Sequence, residues 1–316
     1  MGFSKAPKGL IVDLVTPINE RGDIDGEGLD SLLKKVIPHA GSILLASPHT
    51  GEGIDLGLNF KKDLLQKAIN SIKGKVPIFF WISEDSAEGT KNALSLMEGF
   101  LSDFDYKGPV FWVDSPLFYH SNRGLYGHYL ELAGNAKHPI VLYNDPLLVK
   151  LLEMPLKRCN IRTNIIKNLS KIGKITALIF RGSLTRANNY HKALNMRSDF
   201  RVYDGDETRF LKYPSLSGVV SIGANIAPGI WSAVTRASLG MPEYNQDRGY
   251  YPEEIWEMGS TLKRLMQIYS KNPVPIIKKA LVELNVIGCP NCIAEHKPFD
   301  DSANELAEFI SNNDIA

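Results

Sequence analysis

Cysteine is scarce in this chain: three residues in 316, Cys159, Cys289 and Cys292. Three thiols cannot build a disulfide framework, so a reducing, cytoplasmic setting is expected. Neither sign of charge is in excess, with 36 Lys and Arg against 35 Asp and Glu. No basic face is advertised, and nucleic acid is not an expected partner. No apolar run approaches the roughly 20 residues that cross a bilayer, so no membrane span is expected. Met1 to Lys8 holds no apolar h-region, which argues against a signal peptide. Gly2 is followed by Ala6 where a myristoylation signal needs Ser or Thr. A Gly-x-Gly-x-x-Gly or phosphate loop is also missing, so no cofactor is expected. Low-complexity tracts and internal repeats are not evident.

What the chain does have is apolar residues, 44% of the total, enough for a sizeable core. They fall in short runs that alternate with helix-length amphipathic stretches. Gly9–Val15, Ser42–Ala46, Val76–Trp81, Val110–Val113, Pro139–Tyr143, Lys174–Phe180, Phe200–Tyr203 and Gly218–Ser221 read as strands. These runs are continuous rather than alternating, as expected of strands buried on both faces. Helical spacing follows most of them, as in Leu29, Leu32, Leu33 and Val36. Eight β units alternating with crossover-sized segments predict an α/β fold, a (β/α)₈ TIM barrel over residues 1–240. Residues 241–316 read as a C-terminal helical extension packed on the barrel as part of one structural unit. Its periodic pieces are Pro273–Asn285 and Ser302–Asn312.

Several landmarks recur in a fixed order. The first strand ends in Thr16-Pro17 and is followed by Gly22-Asp-Ile-Asp25. Ser47-Pro-His-Thr-Gly-Glu52 follows strand two, and Pro139-Ile-Val-Leu-Tyr-Asn-Asp-Pro146 spans strand five. Tyr203-Asp-Gly-Asp206, Ser221-Ile-Gly-Ala-Asn-Ile-Ala-Pro228 and Asn272-Pro-Val-Pro-Ile-Ile-Lys278 complete the set. Together they resemble the dihydrodipicolinate synthase / N-acetylneuraminate lyase family, with Gly-Thr-Thr-Gly-Glu and Tyr-Asn-x-Pro as the corresponding family motifs. The resemblance implies a lyase or aldolase acting on a small 2-oxo acid or related carboxylate, in a homodimer or homotetramer. The residues in question fall at the C-terminal ends of strands, the face where this fold builds active sites.

The family's reaction begins when a lysine on strand six attacks a 2-oxo acid to form an imine. Here the segment reads Lys174-Ile-Thr-Ala-Leu-Ile-Phe-Arg-Gly-Ser183. The lysine position falls on Ile179 counting from upstream, or on Leu178 counting back from Gly182. Neither side chain can form an imine, and Lys174 is expected at the opposite end of the strand. The Gly-Arg-Thr that commonly follows Tyr-Asn-x-Pro is replaced by Leu147-Leu-Val-Lys150, and His49 stands for the first threonine of the pair. Two functions remain open: a divergent enzyme with the imine route lost, or a catalytically inactive barrel that binds a ligand or partner.

Carried over by motif, Tyr143 is a proton relay; the bland alternative is a packed strand-end tyrosine. Tyr119, in Ser115-Pro-Leu-Phe-Tyr-His120, matches a tyrosine that the family lends to a neighbouring subunit; a plain interface aromatic is the alternative. His49 suits acid–base chemistry, or a structural hydrogen bond. Thr50, Gly51 and Arg181 suit a carboxylate, through a hydroxyl, close backbone N–H groups and a guanidinium; Arg181 equally suits a neighbouring acid. Asp206 and Asn225 are further contacts, with helix capping the alternative for Asp206. Cys289-Pro-Asn-Cys292 with His296 has half the spacing of a zinc site, but lacks an evident fourth ligand, so a simple turn is favoured and no metal is expected.

Overall fold

The computed structural model describes residues 5–154, 156–215, 217–241, 252–293 and 302–312. Eight strands run in sequence order, β1 to β8, in a closed parallel barrel, so the expected (β/α)₈ fold is the observed one. The contacts divide the chain into two compact units, Gly9–Val76 with Val220–Ala316 and Met1–Lys8 with Pro77–Val219.

The terminal unit opens with β1 (Gly9–Asp13), α1 (Gly26–Val36), β2 (Ser42–Leu45) and α2 (Leu58–Ile72). Strand β1 pairs with β2, Ile11 opposite Ser42 and Asp13 opposite Leu44. Helix α1 starts where Asp25 accepts a bond from the Gly28 N–H at 2.9 Å, a side-chain cap on groups that otherwise lack a partner. Its buried stripe is Leu29, Leu32, Leu33 and Val36, the residues read from the sequence.

The central unit carries β3 (Ile78–Trp81), α3 (Ala87–Asp103), β4 (Val110–Asp114), α4 (Pro116–Tyr119), α5 (Leu125–Asn135), β5 (Ile140–Asn144), α6 (Pro146–Lys150), α7 (Thr163–Leu169), β6 (Ile175–Phe180), α8 (Leu184–Leu194), β7 (Arg201–Asp204) and α9 (Glu207–Lys212). Strand β8 (Gly218–Ser221) follows, its Val219 paired with Asp204. The short helices α4, α6 and α9 were not legible in the hydrophobic period. Each sits directly after a strand and has a local cause: Pro116 and Pro146 pre-set the first helical φ, and Asp145 and Asp206 cap two of the starts.

Back in the terminal unit, a 3₁₀ turn at Gly223–Asn225 leads into α10 (Pro228–Ser238), then α11 (Pro252–Tyr269), α12 (Pro273–Glu283) and α13 (Ser302–Asn312). Helix α10 packs on β1 and on α11, while α13 packs on both α11 and α12. Helices α12 and α13 fall on the two periodic pieces expected there. No helix among the described residues is long and apolar enough to cross a membrane.

Candidate functional site at the strand ends

In the terminal unit the turn after β2 is built by its own backbone. Ser47 is fully buried, and its Oγ accepts the Gly51 N–H at 2.9 Å while its carbonyl accepts the Gly53 N–H at 2.8 Å. Thr16 Oγ1 reaches over to the Gly51 carbonyl at 2.9 Å. Gly51 has no substitute: a Cβ there sits 2.5 Å from the Ser47 nitrogen and 2.8 Å from the Ala46 Cα. The Gly51 N–H expected to serve a ligand is therefore spent inside the turn. Thr50 differs. It is 3% exposed, and its hydroxyl makes no hydrogen bond to any described residue. His49 beside it is half-buried.

Asn225 is fully buried. Its amide donates to the carbonyls of Asp13 (2.8 Å) and Ile222 (2.7 Å), and its oxygen accepts the Val15 N–H at 3.2 Å. One donor and the oxygen thus tie the turn after β8 to the end of β1, while the other donor closes the turn on itself. Glu52, the last residue of the motif, pairs with Lys278 of α12, and both side chains are buried.

In the central unit, strand register places Ile179, and not Leu178, opposite Tyr143. Tyr143 of β5 pairs with Ile179 of β6, and Ile179 pairs with Tyr203 of β7. The Tyr203 ring meets the Phe79 ring of β3 edge-on at 6.1 Å, and Phe79 stacks on Phe111 of β4 at 4.9 Å. Strands β3 and β7 are not neighbours, so Phe79 and Tyr203 face the interior. Residues in register share a face, so Ile179 and Tyr143 face inward too, and Leu178 faces away. Both inward residues are buried, Ile179 completely. Lys174, at the start of β6, donates to the carbonyls of Ala133 (2.9 Å) and Ala136.

Arg181, just past β6, is partly exposed, with its Nε 3.6 Å from the buried Asp145 carboxylate. Asp145 also accepts the Leu147 N–H at 2.8 Å as the cap of α6. Asp206 is exposed and caps α9, accepting the Arg209 N–H at 2.8 Å. Tyr119 turns into its own chain: its phenol donates to Asp114 at 2.8 Å and lies 2.9 Å from His128 Nε2. A phenol has one proton, so His128 must supply the other hydrogen from its Nε2.

Asp114 is the hub that sequence reasoning missed. It is fully buried and accepts from Tyr119, from Tyr129 at 2.6 Å and from Ser83 at 2.5 Å. Burial first, then the Asp114 charge, hold the Tyr119 and Tyr129 phenols well above their ordinary range. Burial lowers His128, against the opposing pull of Asp114. Asp204 is a second overlooked acid. Burial raises its pKa against the attraction of Arg209, its ion-pair partner. The only sequence signal for either was an acid ending an apolar strand. Among the described residues no cluster of metal-ligating side chains occurs. Cys289 and Cys292 are half-buried, and His296 lies outside the described residues.

The closed eight-stranded parallel barrel with its C-terminal helices defines the class: a (β/α)₈ barrel. The chain belongs to the dihydrodipicolinate synthetase family, whose model matches residues 6–308. The 4-hydroxy-tetrahydrodipicolinate synthase of Escherichia coli K12 is 25% identical over 307 residues, 94% of this chain and 95% of that protein. Among solved structures, dihydrodipicolinate synthase from Bacteroides thetaiotaomicron superposes with a TM-score of 0.79 at 19% identity, over 98% of this chain and all of that one. The Acinetobacter baumannii enzyme complexed with pyruvate gives 0.77 at 21% identity, again over 98% of this chain and 100% of that one.

Proposed function

We propose that this protein handles a small 2-oxo acid or related carboxylate without forming an imine on strand six. The observation that carries the reading is the pairing of Tyr143 with Ile179. By resemblance Ile179 stands at the family's lysine position, and an alkyl side chain offers no nucleophile. Without an imine, a bound 2-oxo acid keeps its carbonyl. Any activation must then come from hydrogen bonds or proton transfer rather than from a covalent electron sink.

We assign Tyr143 as the proton-handling phenol and His49 as a candidate acid–base group. Thr50 is the hydroxyl contact for a carboxylate, supported by its burial and its open hydrogen-bonding capacity. Arg181 is a second carboxylate contact, in competition with Asp145. Asp206 and Asn225 are assigned to the framework, because a cap and backbone ties occupy their side chains. The same commitments favour the second reading, a barrel that binds its ligand without turnover. The cytoplasm is the proposed setting and a homo-oligomer the proposed assembly. Leu147, Leu151, Met154 and Leu156 stand exposed within ten residues, which is costly to leave in water. Light scattering checks the assembly; a mass of one chain, 35.1 kDa, counts against it.

Calorimetric titration with pyruvate and a panel of small carboxylates tests the main reading. A saturable heat that Thr50→Val weakens tenfold or more is expected, from losing a hydrogen bond to a charged group, about 1.5–3 kcal/mol. No binding by any carboxylate at millimolar concentration counts against the reading.

A further inference from the structure

We propose that Lys278 is a positioning residue for the Thr50 turn, so that the C-terminal helices set the geometry of a strand-end loop far from them in sequence. The proposal rests on the reading that Thr50 receives the carboxylate.

Lys278 on α12 is 0% exposed and Glu52 is 2% exposed, and their side chains form an ion pair across 226 residues of sequence. Each charge also meets the Cys292 side chain and one backbone group. Lys278 donates to the Asn291 carbonyl at 2.8 Å, and the second oxygen of Glu52 accepts the Ile293 N–H at 2.6 Å. The segment that supplies these groups is itself tied down. The Gly288 N–H reaches Asp25 at 3.3 Å, and the Asn291 amide donates to the Asn19 carbonyl at 3.2 Å. Residues 288–293 therefore strap Glu52 from outside the loop.

The loop needs such a strap because it is strained. Ala46 and Glu52, the residues that bracket Thr50, both take left-handed backbone angles, φ 51° and 55°. L-residues with a Cβ disfavour that region. The bonds to Ser47 close the turn, and Thr16 anchors its Gly51 carbonyl from the β1 side. Glu52 anchors its other end through two charge-assisted bonds in a dry setting, where direction matters most. A buried ion pair is a poor source of stability, since an apolar pair of similar volume often serves as well. Its distinctive contribution here is orientation: it holds Glu52, and with it the Thr50 hydroxyl two residues earlier, in one place.

Three variants of the full chain test this: Lys278→Met, Glu52→Gln and the double Glu52→Gln/Lys278→Met. Each is read by melting temperature, by hydrogen exchange of peptides covering residues 46–53, and by calorimetry with pyruvate. Lys278→Met leaves Glu52 charged and buried, so it melts lower. The double variant removes both charges and recovers much of the melting temperature. Positioning predicts that loop exchange nonetheless stays tenfold or more faster than wild type in the double variant, with β5 and β6 peptides unchanged. Pyruvate affinity falls tenfold or more alongside. If loop exchange recovers together with melting temperature, the pair is merely structural and the proposal is overturned. If the wild type binds no pyruvate, the functional reading for pyruvate fails, while the exchange data still decide the positioning claim.

Discussion

Glu98 offers the sharpest link between charge and stability in the molecule. It sits on α3, 4% exposed, and gathers four donors. The Trp112 indole of β4 donates at 2.8 Å, the Lys137 and His138 N–H groups at 2.6 and 2.9 Å, and the His138 ring lies at 2.8 Å. Burial alone raises a carboxyl's pKa. Here the bonds from His138 and Trp112 outweigh burial and pull it from 4.5 to about 2. A group depressed in the folded state stabilises fully above its unfolded pKa and loses that contribution as pH falls through the folded value. The window is therefore pH 4.5 down to 2, and the contribution is about 3 kcal/mol. Glu98→Gln keeps the shape but cannot titrate and leaves one acceptor as a donor. Urea unfolding at fixed pH values from 7 to 3 reads the difference. The variant should be less stable by about 2–3 kcal/mol at pH 7, with the gap closing steadily below pH 4.5. Parallel stability curves for the two proteins across that range would refute the reasoning.

Two further substitutions separate framework from function. Asp206→Ala should cost about 1 kcal/mol of stability, as loss of a helix cap does, and leave carboxylate affinity unchanged in calorimetry; a tenfold loss of affinity with normal stability would return Asp206 to the binding residues. Asn225→Ala leaves the Asp13 carbonyl and the Val15 N–H without this partner, while the Ile222 carbonyl keeps the backbone N–H of residue 225, so thermal or urea denaturation should show a loss of about 2–6 kcal/mol, each of the two abandoned buried groups costing on the order of 1–3. A stable variant with impaired binding is the opposite of what this framework role requires.

The barrel was legible because its strands are apolar on both faces and its helices carry a clean stripe. Burial works the same way on every repeat, so Leu29 to Val36 announced α1 without any knowledge of its neighbours. The short helices α4, α6 and α9 were not legible. Four to six residues are too few for a period, and their starts are set by one proline or one capping Asp. The site divided along the same line. Motif order pointed to Tyr143, Thr50 and strand six, and left Leu178 and Ile179 both open; the pairing of Ile179 with Tyr143 is visible only in strand register. Nothing local in the sequence linked Tyr119 to Asp114, five residues back, or to His128, nine ahead. Glu52 and Lys278 both lay inside quoted motifs, yet a contact across 226 residues has no local trace.

The central claim is that strand six carries no imine-forming group, and borohydride trapping tests it directly. The protein is incubated with pyruvate, reduced with borohydride and weighed intact, with the same treatment of Ile179→Lys for comparison. Wild type should keep its mass, because an alkyl side chain at position 179 cannot condense with a ketone. A stoichiometric gain of one reduced pyruvate on the wild-type chain, mapped to a single lysine, would contradict the account.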